Sequence, residues 1–361
     1  MNNISGRIVE MEHISYDLGP ITISFFWDRE FNEVGSALRN WFGKSIKRQT
    51  KQHIMFVISE KFFDEIQKTS SFLDTIQIWA WNAALIYTEN GNQIWVCKPH
   101  FTTKKRLIKE LPRLILKFLN PLFASYWELQ AGYLLYHIVL KILYRSLLAN
   151  RATFVHAAGI ADSFGNAVLI CGKGGIGKTT TAVYFVSRGN WKIIADDFVV
   201  VTEGGDIYDS HLPAHIYGYH KDVFEQIGLK VQKLLKEGWL DILHWNIYCI
   251  FRPSKVVRRV SLPRNIKVQD DSKLKVCFIV EVVPSVNKIS IQRLNYEDAS
   301  QLSIKYTLSE IGVKENMCEA IKVMSTALRD AICYKLTIGE NNKNDILAKS
   351  IFDMAVEILQ I

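Results

Sequence analysis

Residues 172–179, GKGGIGKT, match the pattern G-x-x-x-x-G-K-[ST]. An apolar run, AVLIC (167–171), comes directly before the glycines, and a run with helical character follows Lys178. A strand followed by a glycine-rich turn and then by a helix is a unit typical of layered α/β folds. The pattern therefore predicts an α/β layer fold built around this turn.

The same turn has the composition of a phosphate-binding loop. Its glycines let backbone N–H groups converge on phosphate oxygens, and the start of the following helix adds a partial positive charge. Lys178 is expected to reach the β- and γ-phosphates, and the Thr179 hydroxyl is expected to bind Mg²⁺. The predicted cofactors are ATP and Mg²⁺. The candidate nucleotide-binding residues are Gly172, Lys173, Gly174, Gly175, Ile176, Gly177, Lys178, Thr179 and Thr180.

Two further elements lie on either side of the loop in the sequence. Asp196 and Asp197 end the apolar run KIIA, 18 residues after Lys178. Two adjacent carboxylates are costly to bury unless a cation compensates their charge. His156 lies on the strand before the loop strand, and the short turn at 162–166 should bring it near the site. We therefore expect the histidine, the loop and the two carboxylates to meet in one magnesium-centred pocket.

The ordered set VHAAGI (155–160), CGKGGIGKTT (171–180) and RGNWKIIADDFVVV (188–201) resembles the catalytic domain of HPr kinase/phosphorylase. That superfamily also contains phosphoenolpyruvate carboxykinase and the lasso-peptide precursor kinases. The resemblance covers residues 150–205 well and continues loosely through two later strands.

The resemblance implies a role for each matched residue. Lys178 is implied to be catalytic, and Thr179 to bind Mg²⁺. Asp196 is the implied catalytic base, Asp197 the implied metal ligand and His156 a catalytic support for the acidic pair, although the order of the two aspartates stays open. The predicted activity is transfer of the γ-phosphoryl group of ATP to a serine- or threonine-type hydroxyl of a peptide, protein or small molecule.

Two departures from the family bear on the acceptor and on phosphorylase activity. The signature segment that HPr kinases carry after the acidic pair is not found here, where only VEVVPS (280–285) follows. HPr kinases usually carry an acid and a serine inside the loop, where this chain has Lys173 and Gly174. HPr itself is therefore a poor expectation as substrate, and the branch that acts on a peptide or a small-molecule hydroxyl fits better. The identity of the acceptor and the choice between adenine and guanine stay open.

Two other functions are compatible with the sequence of the loop. KGGIGKTT (173–180) also matches the deviant loop of dimeric ATPases such as the nitrogenase iron protein and the chromosome-partitioning ATPases, in which the early lysine crosses the dimer interface. In those proteins the loop follows the first strand, near the N-terminus, and an I-D-x-D pattern replaces A-D-D. The third alternative is a nucleotide-binding regulator without transfer chemistry, although no catalytic residue is missing.

Composition narrows the partners. The net charge of +8 suits a partner that carries phosphate, and a nucleotide already meets that need, so we expect no nucleic acid. The apolar stretch 122–148 contains three charged residues, which predicts no membrane span. Six scattered cysteines without C-x-x-C spacing indicate a reducing compartment, and the expected location is cytoplasmic. The oligomeric state stays open, and related kinases often form homo-oligomeric rings.

The pattern of apolar runs predicts two domains. Residues 1–125 are expected to form a small α+β domain, and residues 126–361 are expected to form an HPr kinase-like P-loop domain. Strands are expected at 21–27, 53–59, 75–81, 84–97 (a hairpin around Asn90-Gly91), 151–161, 166–172, 192–201, 276–283, 288–294 and 332–339. Helices are expected at 28–42, 103–120 (ending at a break at Pro121), 126–150, 179–188, 223–245, 297–305 and 314–328, with a last helix after the strand at 332–339. Candidate phosphate- or substrate-binding arginines are Arg252, Arg258, Arg259 and Arg264.

Overall fold

The structure is a computed structural model, and the chain it forms is a mixed α/β protein. It divides into two compact units, Met1–Leu143 and Tyr144–Ile361. The residues that it describes are 8, 11–42, 52–69, 72–78, 80–89, 92–100, 126–230, 257–268, 272–284, 289–339 and 345–360. The domain boundary expected at 125/126 stays a prediction, because residues 101–125 lie outside this set.

The first unit contains a six-stranded mixed sheet. In spatial order its strands are β1-β2-β3-β6-β5-β4, with β2, β3 and β6 parallel and the outer pairs antiparallel. The strands are β1 (Glu12–Asp17), β2 (Ile21–Trp27), β3 (Gln52–Ile58), β4 (Asp74–Gln77), β5 (Trp81–Glu89) and β6 (Asn92–Pro99). The helices of this unit are α1 (Asn32–Phe42), α2 (Glu60–Thr69) and α3 (Tyr126–Leu134). One π-helical turn (Leu135–Val139) joins α3 to α4 (Leu140–Ala149), the helix in which the first unit ends and the second begins.

Expectations for this unit are confirmed in part where residues are described. The strand expected at 75–81 is divided between β4, which ends at Gln77, and β5, which begins at Trp81. The strand expected at 21–27 is β2, and the hairpin strands are β5 and β6, although Asn90 and Gly91 themselves lie outside the described residues. The helix expected from residue 28 begins later, at Asn32, after a short 3₁₀ turn (Arg29–Phe31). Four tryptophans of this unit are core residues, each at most 4% exposed: Trp27, Trp41, Trp81 and Trp95.

The second unit is built on a nine-stranded mixed sheet. Its path is β10-β8-β9-β15-β12-β11-β7, and β17 pairs with both β15 and β16. Strands β9, β15 and β17 are parallel, and the remaining pairs are antiparallel. The strands are β7 (Ala152–Val155), β8 (Ala157–Ala161), β9 (Asn166–Gly172), β10 (Lys192–Ala195), β11 (Val199–Thr202), β12 (Asp206–Asp209), β15 (Ser272–Val282), β16 (Ser290–Leu294) and β17 (Ile332–Ile338).

Helices and a separate two-stranded ribbon complete this unit. The helices are α5 (Lys178–Ser187), α6 (Lys221–Glu225), α7 (Tyr296–Ile311), α8 (Met317–Ala327) and α9 (Asp345–Leu359). The ribbon pairs β13 (Ala214–Tyr217) with β14 (Val257–Val260) in antiparallel fashion. Alternate residues of β13, Ala214 and Ile216, belong to the main hydrophobic core, which leaves the residues between them on the opposite face of the ribbon.

The expected loop strand and loop helix are confirmed as β9 and α5, and glycine makes their connection compact. A Cβ at Gly172 would lie 2.6 Å from the carbonyl oxygen of Val280 on the adjacent strand, so only glycine fits where β9 ends. Gly177 has φ +94° directly before Lys178, a conformation that other residues rarely adopt.

Three of the strands and helices expected in the second unit differ from those in the structure. The strand expected at 151–161 is interrupted at His156, where the chain passes from β7 to β8 in the same sheet. The strand expected at 192–201 is interrupted by a turn at the two aspartates. The helix expected at 223–245 is helical only to Glu225 within the described part, and 231–245 lies outside it. Among the helices described, none is long and apolar enough to cross a membrane.

Candidate functional site

Lys178 lies at the start of α5 with its ammonium group buried inside the glycine-rich turn. Its Nζ donates to the carbonyl oxygens of Gly172 (3.1 Å) and Lys173 (3.0 Å) and to Nε2 of His156 (2.8 Å). Burial lowers the pKa of Lys178, and the nearby charges of Asp197 and Asp196 oppose that shift. Burial and the neighbouring carboxylates therefore act in opposite directions on this lysine, which lies at the centre of the site.

His156 connects this lysine to the acidic pair. Its backbone N–H donates to Oγ1 of Thr307 on α7 (2.8 Å), which holds the junction between β7 and β8. Burial, and then the charge of Lys178, lower the pKa of His156 to about 4, so the ring is neutral at pH 7. Since Nε2 accepts from Lys178, the single ring proton is on Nδ1, which lies 3.4 Å from Oδ1 of Asp197.

Asp196 contacts Thr179, the loop residue that the sequence assigned to Mg²⁺. Oγ1 of Thr179 lies 3.0 Å from both carboxylate oxygens of Asp196 and donates to them. Asp196 is only 5% exposed. Burial and the adjacent charge of Asp197 raise the pKa of Asp196 to about 6. The structure thus pairs Thr179 with Asp196 rather than with Asp197.

Asp197 lies between two histidines. Its backbone is in the left-handed region, with φ +76°, which aspartate tolerates better than most residues. Its Oδ1 faces His156, and its Oδ2 lies 3.1 Å from Nδ1 of His215. Burial alone would raise the pKa of Asp197, but the charge and hydrogen bond of His215 hold that pKa well below its usual range. Asp197 is therefore ionised at neutral pH.

Sequence reasoning missed two residues of this site. His215 lies on β13, in the short run AHIY, which contains no recognisable motif. Glu310 lies near the end of α7, and its Oε1 is 4.0 Å from Nε2 of His156. The same oxygen is 3.6 Å from the place where a Cβ on Gly174 would lie. Only the pairing of distant segments brings these two side chains to the loop.

The structure brings Lys178, Thr179, His156, Asp196 and Asp197 together in one contiguous cluster. The remaining loop residues differ in how far they are exposed to solvent. Three residues are exposed: Lys173, Gly174 and Gly175. Three residues have little or no exposed surface: Gly172, Ile176 and Thr180. Gly177 lies between these extremes and accepts hydrogen bonds from Thr181 at its carbonyl oxygen.

The arginines named from the sequence divide differently. Arg259 lies opposite His215 in the ribbon register, on the face that turns away from the core. The side chains of Arg258 and Arg264 and the whole of Arg252 lie outside the described residues.

A resident cation fits only a small part of this cluster. Within the described part of the chain, no group of three or more His, Cys, Asp or Glu side chains is arranged to hold a metal ion. Mg²⁺ is usually bound by one or two carboxylates together with substrate phosphates and water. The Thr179 hydroxyl and the Asp196 carboxylate, both hard oxygen donors in direct contact, match that kind of site.

Comparison with known proteins adds no assignment. No protein-family model matches the chain, and no curated protein matches it significantly.

The pKa of Asp196 leads to a prediction about stability. Its folded pKa of about 6 is above the ordinary 3.8, so its contribution to stability is fully present below pH 3.8 and is lost as pH rises through 6. Between pH 4 and pH 7, the unfolding free energy of the unmodified protein should fall relative to Asp196→Asn by on the order of 3 kcal/mol. Urea denaturation in the absence of Mg²⁺ and nucleotide measures the difference, in which titrating groups that do not interact with Asp196 cancel. If the unfolding free energies of the two proteins change in parallel with pH, burial does not raise the pKa of Asp196.

Proposed function

We propose that the protein is an ATP-dependent phosphotransferase that moves the γ-phosphoryl group to a serine- or threonine-type hydroxyl. The acceptor is a peptide, a protein or a small molecule. The observation that carries this proposal is that two sets of contacts meet at adjacent carboxylates: Lys178 is linked through His156 to Asp197, and Thr179 contacts Asp196 directly. A cation-bearing loop and a pair of acids at one point are the parts that phosphoryl transfer uses.

The loop and Lys178 would hold the triphosphate. The N-terminus of α5 directs backbone N–H groups and partial positive charge toward an anion. The Lys178 ammonium is held at this point by two loop carbonyls, and a phosphate would replace at least one of its present hydrogen bonds. His156 limits the freedom of this lysine further, because its neutral Nε2 accepts the third hydrogen bond.

Thr179 and Asp196 would hold Mg²⁺. Their contact at 3.0 Å supports this pairing, which is the second of the two orders that the sequence left open. The cation supplies neutralisation of the charge on the β- and γ-phosphate oxygens. Asp196 has a raised pKa in the absence of a cation, as expected for a carboxylate whose compensating charge is bound with the substrate.

Asp197 would then receive the acceptor. The bond between the γ-phosphorus and the β,γ-bridging oxygen breaks, a bond from the acceptor oxygen to phosphorus forms, and the hydroxyl proton passes to Asp197. A low pKa does not exclude this role, because proton transfer comes late in a largely dissociative transition state and positioning contributes more. His215 and His156, which contact the two oxygens of Asp197, supply that positioning.

The wider assignment belongs to the same proposal. An HPr kinase-like P-loop domain at 126–361 would follow a smaller α+β domain at 1–125, and the protein would act in the cytoplasm. Support comes from the resemblance of the three motifs and from the mixed α/β unit that contains them. The Mg·ATP complex accounts for the phosphate partner suggested by the basic net charge, without nucleic acid.

The proposal is tested by incubating the protein with Mg²⁺ and γ-labelled ATP, with water as the basal acceptor. Short peptides encoded by adjacent genes serve as the first hydroxyl acceptors, and mass spectrometry reports a gain of one phosphate. We expect a Mg·ATP-dependent rise in melting temperature and labelled product. A protein that neither gains stability from Mg·ATP nor releases label to any acceptor would exclude the proposed activity.

The dimeric ATPase alternative makes a different prediction about Lys173. Its side chain is exposed on the loop, and only its carbonyl oxygen contacts Lys178. If the protein acts as a single-chain kinase, Lys173→Ala should change ATP turnover less than about threefold, because exposed substitutions usually cost under 0.5 kcal/mol. Turnover assays and sedimentation with and without Mg·ATP measure both properties. Complete loss of turnover together with loss of an ATP-dependent dimer would favour the dimeric ATPase.

A further inference from the structure

Two tyrosines form a parallel stack at the end of the ribbon strand β13. The rings of Tyr217 and Tyr219 have centroids 5.3 Å apart and planes inclined by 8°. Tyr219 is 44% exposed, which is high for so large an aromatic side chain. We call this pair the tyrosine stack. Tyr217 stacks on Tyr219, and the exposed part of the Tyr219 ring is the surface on which a ligand ring could lie.

The buried residue His220 holds the tyrosine stack in place. The tyrosine stack spans a 3₁₀ turn (Gly218–His220) in which the backbone N–H of Tyr217 donates to Nδ1 of His220 at 3.2 Å. His220 is 3% exposed, and burial lowers its pKa to about 4, so its ring is neutral and can accept this bond. The His220 ring packs edge-to-face with Tyr219, with ring centroids 4.4 Å apart. The same arrangement links His220 to Phe224 in the core, with ring centroids 6.3 Å apart. A ring fixed in this way loses little conformational entropy when it binds a ligand.

The tyrosine stack borders the carboxylate pair. Tyr217 follows His215 by two residues on β13, so both side chains point to the face of the ribbon that turns away from the core. His215 on that face is hydrogen-bonded to Asp197. The charges of Asp197 and Asp196 add to burial in raising the pKa of Tyr217, and that of Asp196 does the same for Tyr219. The phenol rings are thus close enough to the carboxylates to experience their charge.

We propose that the tyrosine stack is a binding subsite for a planar aromatic ring of a ligand at this site. The ring belongs either to the nucleobase of the bound nucleotide or to the acceptor, since both carry a π-face that can lie on Tyr219. This inference rests on the proposed function for the identity of the neighbouring site. A ring that stacks on an aromatic side chain gains about 1–3 kcal/mol per ring, enough to select among ligands that share a phosphate or a hydroxyl.

Titration of Mg·ATP and of inorganic triphosphate with Mg²⁺ tests the nucleobase as the source. Both compounds use the phosphate loop, but only ATP carries a ring. If the nucleobase stacks, Tyr219→Ala should weaken ATP binding about 5- to 150-fold, while triphosphate binding is unchanged and Tyr219→Phe binds like the unmodified protein.

Titration of benzyl alcohol in the presence of Mg·ADP tests the acceptor as the source, because this probe combines a ring with a primary hydroxyl. If the acceptor ring stacks, Tyr219→Ala should abolish benzyl alcohol binding and leave ATP binding unchanged. Unchanged affinities for ATP, triphosphate and benzyl alcohol would overturn the proposal. So would equal weakening of ATP and triphosphate, since that pattern indicates damage to the phosphate loop.

Two controls separate the possible failures. Phe164→Ala removes an 80% exposed aromatic ring in the turn before β9, at the opposite end of that strand from the loop, and should change none of the affinities. If Tyr219→Ala does not fold, Tyr219→Leu keeps bulk without a planar face and replaces it in every titration. A protein that binds neither Mg·ATP nor triphosphate fails the proposed function, while benzyl alcohol still tests the tyrosine stack.

Discussion

Replacing Asp197 with asparagine is expected to lower the rate of phosphoryl transfer by about 10²- to 10⁴-fold, the usual contribution of a general base. The amide has nearly the shape of the carboxylate but neither its charge nor its ability to accept the hydroxyl proton. Mg·ATP affinity should change only a few fold, because Thr179 contacts Asp196 and not Asp197. Single-turnover release of label from γ-labelled ATP measures the rate, and calorimetry measures the affinity.

The matched control for this variant is Asp196→Asn, which makes the same chemical change one residue away. It should raise the Mg²⁺ concentration required for half-maximal turnover, since it removes one of the two protein oxygens assigned to the cation. If Asp197→Asn retains full transfer while Asp196→Asn loses it at saturating Mg²⁺, the two roles are reversed. That outcome would restore the order implied by the family resemblance and would leave the kinase proposal intact.

Lys178→Met is expected to weaken Mg·ATP binding by about 30- to 4000-fold, as for removal of one partner of a buried charge pair. Methionine fills similar space, but it cannot donate to a phosphate. Inorganic triphosphate should lose the same factor, because Lys178 acts on the phosphates alone. Calorimetric titration of both ligands, compared with the melting temperature of the unliganded variant, separates lost binding from lost folding.

Lys192→Met is the control for net charge, because Lys192 is exposed at the start of β10 and the substitution removes the same unit charge. It should bind Mg·ATP like the unmodified protein. If Lys178→Met also binds normally, the glycine-rich turn is not a nucleotide site, and both the kinase and the dimeric ATPase are excluded. This variant therefore tests nucleotide binding itself, whereas Asp197→Asn tests the chemistry.

Local patterns in the sequence predicted the elements closest to the loop. The strand expected at 166–172 is β9, and the helix expected at 179–188 is α5, displaced by one residue. Both elements depend on short-range properties: a run of apolar residues, a change of periodicity, and glycines at positions where a Cβ would collide or φ is positive. The location of His156 beside Lys178 could also be expected, because His156 directly precedes β8, and a short turn connects β8 to β9, the strand that leads into the loop before Lys178.

Other features depended on the conformation of single residues. The KIIADDFVVV run was expected as one strand, but the left-handed backbone of Asp197 turns the chain and directs its two carboxylates to different partners. Alternation along a strand cannot predict this, because a single positive φ cancels it. The pairing of Thr179 with Asp196 therefore came only from the folded chain.

What the sequence by itself determined is the βα unit around Gly172 and Lys178 and the set of acidic and basic groups available to it, because neighbouring residues specify both. Only the tertiary structure decided which distant groups complete the site. The ribbon joins β13 to β14 across some forty residues of chain and brings His215 and the tyrosine stack to Asp197. Such contacts follow from long-range strand pairing, and the alternation within a four-residue strand such as β13 does not identify the distant strand with which it pairs.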